Sequence, residues 1–160
     1  MTEHTRPALA SPTFTSPAFT SPALTSPALT SPIAAWHQVV QSRDPAALSA
    51  LLDESVVFHS PVVHTPQRGK PVTFQYLMGA MQVLNNASFR YEREIVGERQ
   101  ALLEFSTEID GIVINGIDLI RWNEAGLIVD FKVMVRPLKA VNLLHQRMGA
   151  MLEKLKQARP

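Results

Sequence analysis

The chain has 160 residues, with 15 Lys and Arg against 14 Asp and Glu; its formal charge is +1 and only 18% of it is charged. That balance gives no electrostatic footprint for nucleic acid, and the absence of cysteine excludes disulfides, thiolate catalysis and zinc–thiolate sites. No run reaches the ~18 apolar residues of a membrane span, and prolines interrupt whatever follows Arg6, so the expectation is a soluble, cytoplasmic protein without a secretory signal.

Residues 1–32 form a segment of their own. Ser11-Pro12, Ser16-Pro17, Ser21-Pro22, Ser26-Pro27 and Ser31-Pro32 recur every five positions within the unit S-P-[A/T]-[F/L]-T. Proline at that density denies the backbone its ladder bonds and favours solvated, extended chain. The segment reads as a disordered repeat tail, except that Ser31 and Pro32 have the chemistry of an N-cap and a first helical turn.

Residues 33–160 have the size of one domain. Trp36, Val39 and Val40 mark a first short helix, and Asp44-Pro45 restarts it with Leu48, Leu51 and Leu52 inward. Val56 to His59 reads as a strand, followed by a proline-rich loop through Gly69. Pro71 opens a third helix with Phe74, Leu77, Met78, Met81 and Leu84 at helical spacing. Four strands follow, near 89–96, 101–109, 112–122 and 127–135. Asp110-Gly111 is a two-residue hairpin signal, and Asn123-Glu124-Ala125-Gly126 supplies the next turn. Pro137 then begins a long C-terminal helix, whose stripe is Leu138, Val141, Leu144 or His145, Met148, Leu152 and Leu155.

Counting by twos assigns the strand faces. Phe89, Tyr91, Arg93 and Ile95 fall on one side of their strand, with Arg90, Glu92 and Glu94 on the other; Leu103, Phe105, Thr107 and Ile109 oppose Glu104, Ser106 and Glu108. In the strand near 112–122, Ile114, Asp118, Ile120 and Trp122 share a face, which places a carboxyl among apolar neighbours. Ionised and unpaired there, Asp118 would cost several kcal/mol, so it pairs or stays protonated. As a neutral acid it can donate a hydrogen bond to a ligand; as an ionised partner it would only order the core. These patterns give an α+β fold: a curved, mostly antiparallel sheet forms a cone closed by three N-terminal helices, with a further C-terminal helix. The mouth of such a cone is where a small molecule binds.

Two stretches carry a resemblance. Ser60-Pro61-Val62-Val63-His64-Thr65-Pro66-Gln67-Arg68-Gly69 has the pattern P-x-x-x-x-P-x-x-G, and Asp118-Leu119-Ile120-Arg121-Trp122-Asn123-Glu124-Ala125-Gly126 is close to D-x-x-R-F-D-E-x-G. From about Ala34 through Val135 the chain resembles the nuclear transport factor 2-like superfamily, its motifs looking most like ketosteroid isomerase and the SnoaL-like polyketide cyclases. The resemblance implies an oxyanion hole in which Asp118 matches a protonated aspartic acid. The isomerase's tyrosine falls on Trp36, which can donate a hydrogen bond but cannot act as an acid. Its general base falls on Ser60, which cannot take a proton from carbon unaided. The arginine of related epoxide hydrolases falls on Gly116.

The candidate catalytic residue is thus Asp118, with His64 in the loop as a weaker candidate base. The pocket is expected to be lined by Trp36, Phe58, Ser60, Met81, Phe89, Tyr91 and Phe105, and to take a small, largely apolar, carbonyl-bearing molecule. No metal and no cofactor are called for. Isomerase- or cyclase-type chemistry is one reading; a non-catalytic dimeric interaction module of the same fold is the alternative. Apolar Val113, Ile117 and Leu119 on the outer sheet face are the reason to expect a homodimer.

Overall fold

The computed structural model describes residues 31–157, the side chains of 155 and 156 excepted; the repeat tail therefore lies outside the described residues apart from Ser31 and Pro32. Four helices and six strands follow in the order α1 (Pro32–Ser42), α2 (Pro45–Leu51), β1 (Leu52–His59), β2 (Gln67–Arg68), α3 (Lys70–Leu84), β3 (Arg90–Val96), β4 (Gln100–Ile109), β5 (Ile112–Trp122), β6 (Ile128–Arg136) and α4 (Leu138–Gln157). The strands make one curved, unclosed sheet in the order β2-β1-β6-β5-β4-β3.

Local chemistry sets most of the boundaries. Asp44 caps α2 by accepting from the Ala46 N–H at 2.9 Å, satisfying one orphan donor of the first turn. Ser31 precedes α1, but its hydroxyl makes no capping bond; its carbonyl accepts from Ala35 N–H at 3.0 Å. Between β4 and β5, Asp110 and Gly111 both take positive φ, 51° and 74°, the conformation of the two-residue turn that matches strand twist. After β5 the Asn123 side chain closes the next turn: its oxygen accepts from Leu127 N–H, and its amide reaches Asp53, both at 3.0 Å.

Within the mostly antiparallel sheet expected from the sequence, three details are new. One pair is parallel: β1 runs alongside β6, Phe58 lying opposite Phe131 and His59 opposite Lys132. A parallel neighbour needs a long crossover, and here the chain between them builds α3 and the β3–β5 meander. The loop after β1 also contains the short strand β2, with Val57 opposite Arg68. Finally, β3 carries a bulge: Tyr91 faces Phe105, but Arg93, not Glu92, faces Glu104. One extra residue reverses every later side chain. Ile95 is therefore outward and 59% exposed, Arg93 pairs with Glu104 at 3.5 Å on the outer face, and Glu94 turns inward to meet His37 of α1 at 2.8 Å.

The core lies between the inner sheet face and the helices. Leu103 and Phe105 of β4, Ile114 and Ile120 of β5, and Phe131 of β6 are buried there with Trp36 and Val39 of α1, Leu48 of α2 and Leu77 of α3. Gly116, on that inner face, is required by a close approach. A Cβ built on it would sit 2.3 Å from Cζ of Phe105, so the ring of the facing strand lies in the space a side chain would need. α4 packs against α3, β5 and β6, and brings Leu144 and Met148 over the open end of the cone.

Candidate functional site

The helices and sheet enclose a cavity of about 200 Å³, open on one side. Trp36, Phe58, Ser60, Met81, Phe89, Tyr91, Phe105 and Asp118 all border it. The aromatic rings brace one another: Trp36 and Phe131 are 4.8 Å apart between centroids, Phe58 and Tyr76 5.2 Å, and Phe89 stands edge-on to Tyr91 at 5.2 Å. Such contacts hold ring orientations as well as adding area.

Asp118 is 7% exposed and sits opposite Leu103 on one neighbouring strand and Val133 on the other. Burial among these apolar groups pushes its carboxyl up to about 7, opposed only by a hydrogen bond from Tyr91. Desolvation penalises the charged form, and the donated bond recovers part of that cost. Tyr91 reaches Asp118 from β3, two strands away, and its own hydroxyl is made much less acidic, first by burial and then by the Asp118 charge. The indole N–H of Trp36 donates to the Tyr91 hydroxyl at 2.9 Å. Trp36, Tyr91 and Asp118 thus form one hydrogen-bonded line along the wall of an otherwise apolar cavity.

The remaining candidates separate. Ser60 borders the cavity, and its oxygen accepts from the N–H groups of Val62 and Val63 at 3.2 and 3.3 Å, so its first task is to shape the loop. Its neighbour His59 is no part of the site: it faces the other way and meets Asp130 at 3.1 Å. His64 is exposed in the loop and does not border the cavity. The imidazole that does border it is His145 of α4. The sequence places this residue beside the α4 stripe, but periodicity does not say which side of the stripe the cone meets. Phe131 and Val133 of β6 and Tyr76 of α3 also border the cavity and were not singled out from sequence, although two-residue alternation along β6 puts Phe131 and Val133 on one face. Among the described residues, no three His, Asp or Glu side chains are placed to hold a metal ion, and no helix is long and apolar enough to cross a membrane.

Comparison with known proteins agrees with this geometry. The sequence profile of the SnoaL-like domain matches residues 33–131. A steroid delta-isomerase from Pseudomonas aeruginosa superposes with a TM-score of 0.74 at 36% identity, covering 79% of this chain and 93% of its own. A protein with a cystatin-like fold from Silicibacter pomeroyi DSS-3 gives 0.69 at 35% identity, over 74% of this chain and 83% of its own. A putative polyketide cyclase from Sinorhizobium meliloti, 14% identical over 64% of this chain and 93% of its own, shares the fold with a TM-score of 0.51. No curated protein matches the chain.

Proposed function

This chain belongs to the SnoaL-like domain family, and from that premise we propose that its cavity binds a small, largely apolar, carbonyl-bearing molecule, with Asp118 as the hydrogen-bond donor to the carbonyl oxygen. The observation that carries this reading is a carboxyl raised to about 7 by burial at the wall of an apolar cavity. A neutral acid there donates a hydrogen bond where charge would develop on a carbonyl oxygen, which is how preorganised donors lower barriers to enolate formation. Its standing in a 36% identical steroid delta-isomerase fold supports isomerase- or cyclase-type chemistry at the same place. The serine at position 60 offers no base, so the proton acceptor for such chemistry comes from His145 at the cavity edge.

Calorimetric titration with apolar ketones below pH 6 tests this. Asp118→Asn, which keeps a donor, should largely retain binding, and Asp118→Ala should weaken it by roughly 1–3 kcal/mol, the usual cost of a buried hydrogen bond left unmade. Equal affinity in the wild type and Asp118→Ala would end the proposal. The alternative, a dimeric interaction module, draws on the outer sheet face, where Val113, Met134 and Ile95 are 52%, 57% and 59% exposed; it predicts pairing that is indifferent to the cavity.

A further inference from the structure

The line of donors behind Asp118 has a direction. An indole N–H can only donate, so the 2.9 Å bond from Trp36 makes the Tyr91 oxygen an acceptor on that side. The Tyr91 proton must then point elsewhere, and the acceptor it meets is the Asp118 carboxyl. Once that carboxyl has accepted from Tyr91, the proton it carries as a neutral acid has no protein acceptor along the line, and the cavity is where it can be used. We propose that Trp36 and Tyr91 are positioning residues, a one-way relay that fixes Asp118 as a donor into the cavity and makes the site select neutral apolar ligands bearing a single acceptor atom over isosteric hydrocarbons and amines.

The proposal deepens the ligand-binding reading and rests on it for the selectivity, while the relay itself is a property of the protein alone. It also has a pH sense. When Asp118 loses its proton the relay still donates into the carboxylate, but the cavity now faces an acceptor, and a protonated amine becomes the better ligand. The other titratable groups bordering the cavity are Tyr76 from α3, Tyr91 from β3 and His145 from α4. His37 of α1 and Glu94 of β3 pair with each other, the His37 ring edge-on to Tyr91. On β4 and β6, the residues directly beside Asp118 are Leu103 and Val133, neither of which titrates. Asp118 is therefore the group whose ionisation reverses the donor sense at this wall.

A double-mutant cycle read by carboxyl-carbon NMR tests the relay without any ligand. Tyr91→Phe removes the bond into the carboxylate and should raise the apparent pKa of Asp118 by about one unit or more. Trp36→Phe should raise it by less, and should add nothing in the Tyr91→Phe background. A Trp36→Phe shift that persists at full size in that background, or a Tyr91→Phe variant whose Asp118 titrates as the wild type does, overturns the relay. Should Trp36→Phe fail to fold, the two tryptophans of the chain supply the second reading: Tyr91→Phe should move the indole proton resonance of Trp36 upfield and leave that of Trp122 in place. An unmoved Trp36 resonance also overturns the relay.

Selectivity is read with 2-acetylnaphthalene, 2-isopropylnaphthalene and 1-(2-naphthyl)ethylamine. At pH 5.5 the ketone should bind about tenfold or more tightly than the hydrocarbon, with the amine weakest, and the order of ketone and amine should reverse at pH 8.5. Tyr91→Phe should reduce the ketone preference at pH 5.5 severalfold. An order that stays the same at both pH values overturns the selectivity. A ketone preference that survives intact in Tyr91→Phe but vanishes in Asp118→Leu overturns the relay while sparing the binding reading. Failure of all three naphthalenes to bind counts against the binding reading and the selectivity, and the NMR cycle still decides the relay.

Discussion

At the scale of the residue, Asp118 has consequences for stability as well as binding. Its carboxyl is raised from 3.8 to about 7 on folding, so the folded state holds a proton that the unfolded chain has released between those values. Below about pH 4 both states are protonated and the contribution of Asp118 to stability is complete. As pH rises toward 7 the unfolded state loses its proton first, and stability falls by ~1.4 kcal/mol per pH unit, roughly 4 kcal/mol in all. Chemical denaturation from pH 4 to pH 8 should show this decline, and Asp118→Leu should lack it and be more stable than the wild type at pH 8. An Asp118→Leu variant with the same pH profile as the wild type would show that other groups set the slope. The position of this carboxyl was legible in the sequence, because alternation along β5 is unbroken and places Ile114, Asp118 and Ile120 on one buried face. Its partner was not. Tyr91 reaches it across an intervening strand, and no local spacing encodes a contact between residues on β3 and β5. His64 and His145 show the same limit: a histidine in a loop or beside a helical stripe declares its side only once the helix is docked.

At the scale of the element, β4 and β5 are locked by a ring over a glycine. Gly116→Ala puts a methyl group where the Phe105 ring already lies; the ring must leave its rotamer or the strands must part. The expected cost is about 1–3 kcal/mol, as for other overpacked cores, measured as a lower midpoint in urea. Phe105→Leu should be destabilising alone and should lessen the cost of Gly116→Ala without abolishing it, since the added Cβ would also stand 2.9 Å from the Met134 carbonyl oxygen of β6. Full additivity in the double variant would show that the glycine is needed for another reason. The hairpin and the helix starts were readable because capping and turn residues act within a few positions of themselves. The bulge in β3 was not, because nothing in Tyr91-Glu92-Arg93 distinguishes an extra residue from a paired one; it is favoured by what it allows across the fold, the pairing of Glu94 with His37 and of Arg93 with Glu104. The parallel pairing of β1 was hidden for a related reason, since strand order depends on where α3 lies and not on the strand's own residues.

At the scale of the whole molecule, the outer sheet face presents Val113, Leu119, Met134 and Ile95 together with Arg93 and Glu104. Scattered apolar residues are ordinary on a surface, but several on neighbouring strands of one sheet are what an isologous contact uses. Light scattering at micromolar concentration should give twice the chain mass, and Met134→Glu with Val113→Lys should return it to the monomer mass without changing the circular dichroism; a wild-type monomer would refute the pairing. Deleting residues 1–30 should leave the melting temperature and ketone binding as they are, because the repeat has too little apolar surface to make a stable attachment; a loss of several degrees would reveal one. The parallel seam between β1 and β6 also carries a temporal consequence. On the ribosome, the strand that begins near the start of the domain must wait for the last strand before it has a neighbour on that side, whereas the β3–β6 meander pairs with what has just emerged. Contacts that span most of a chain are the slow ones to form. The walls contributed by β5 and β4 are therefore expected to stand before Phe58 and Ser60 close the other side, so that the cavity is completed only when synthesis has passed β6 and the α4 residues that border it, and a chain stalled before β6 should display its apolar inner face to whatever chaperone is at hand.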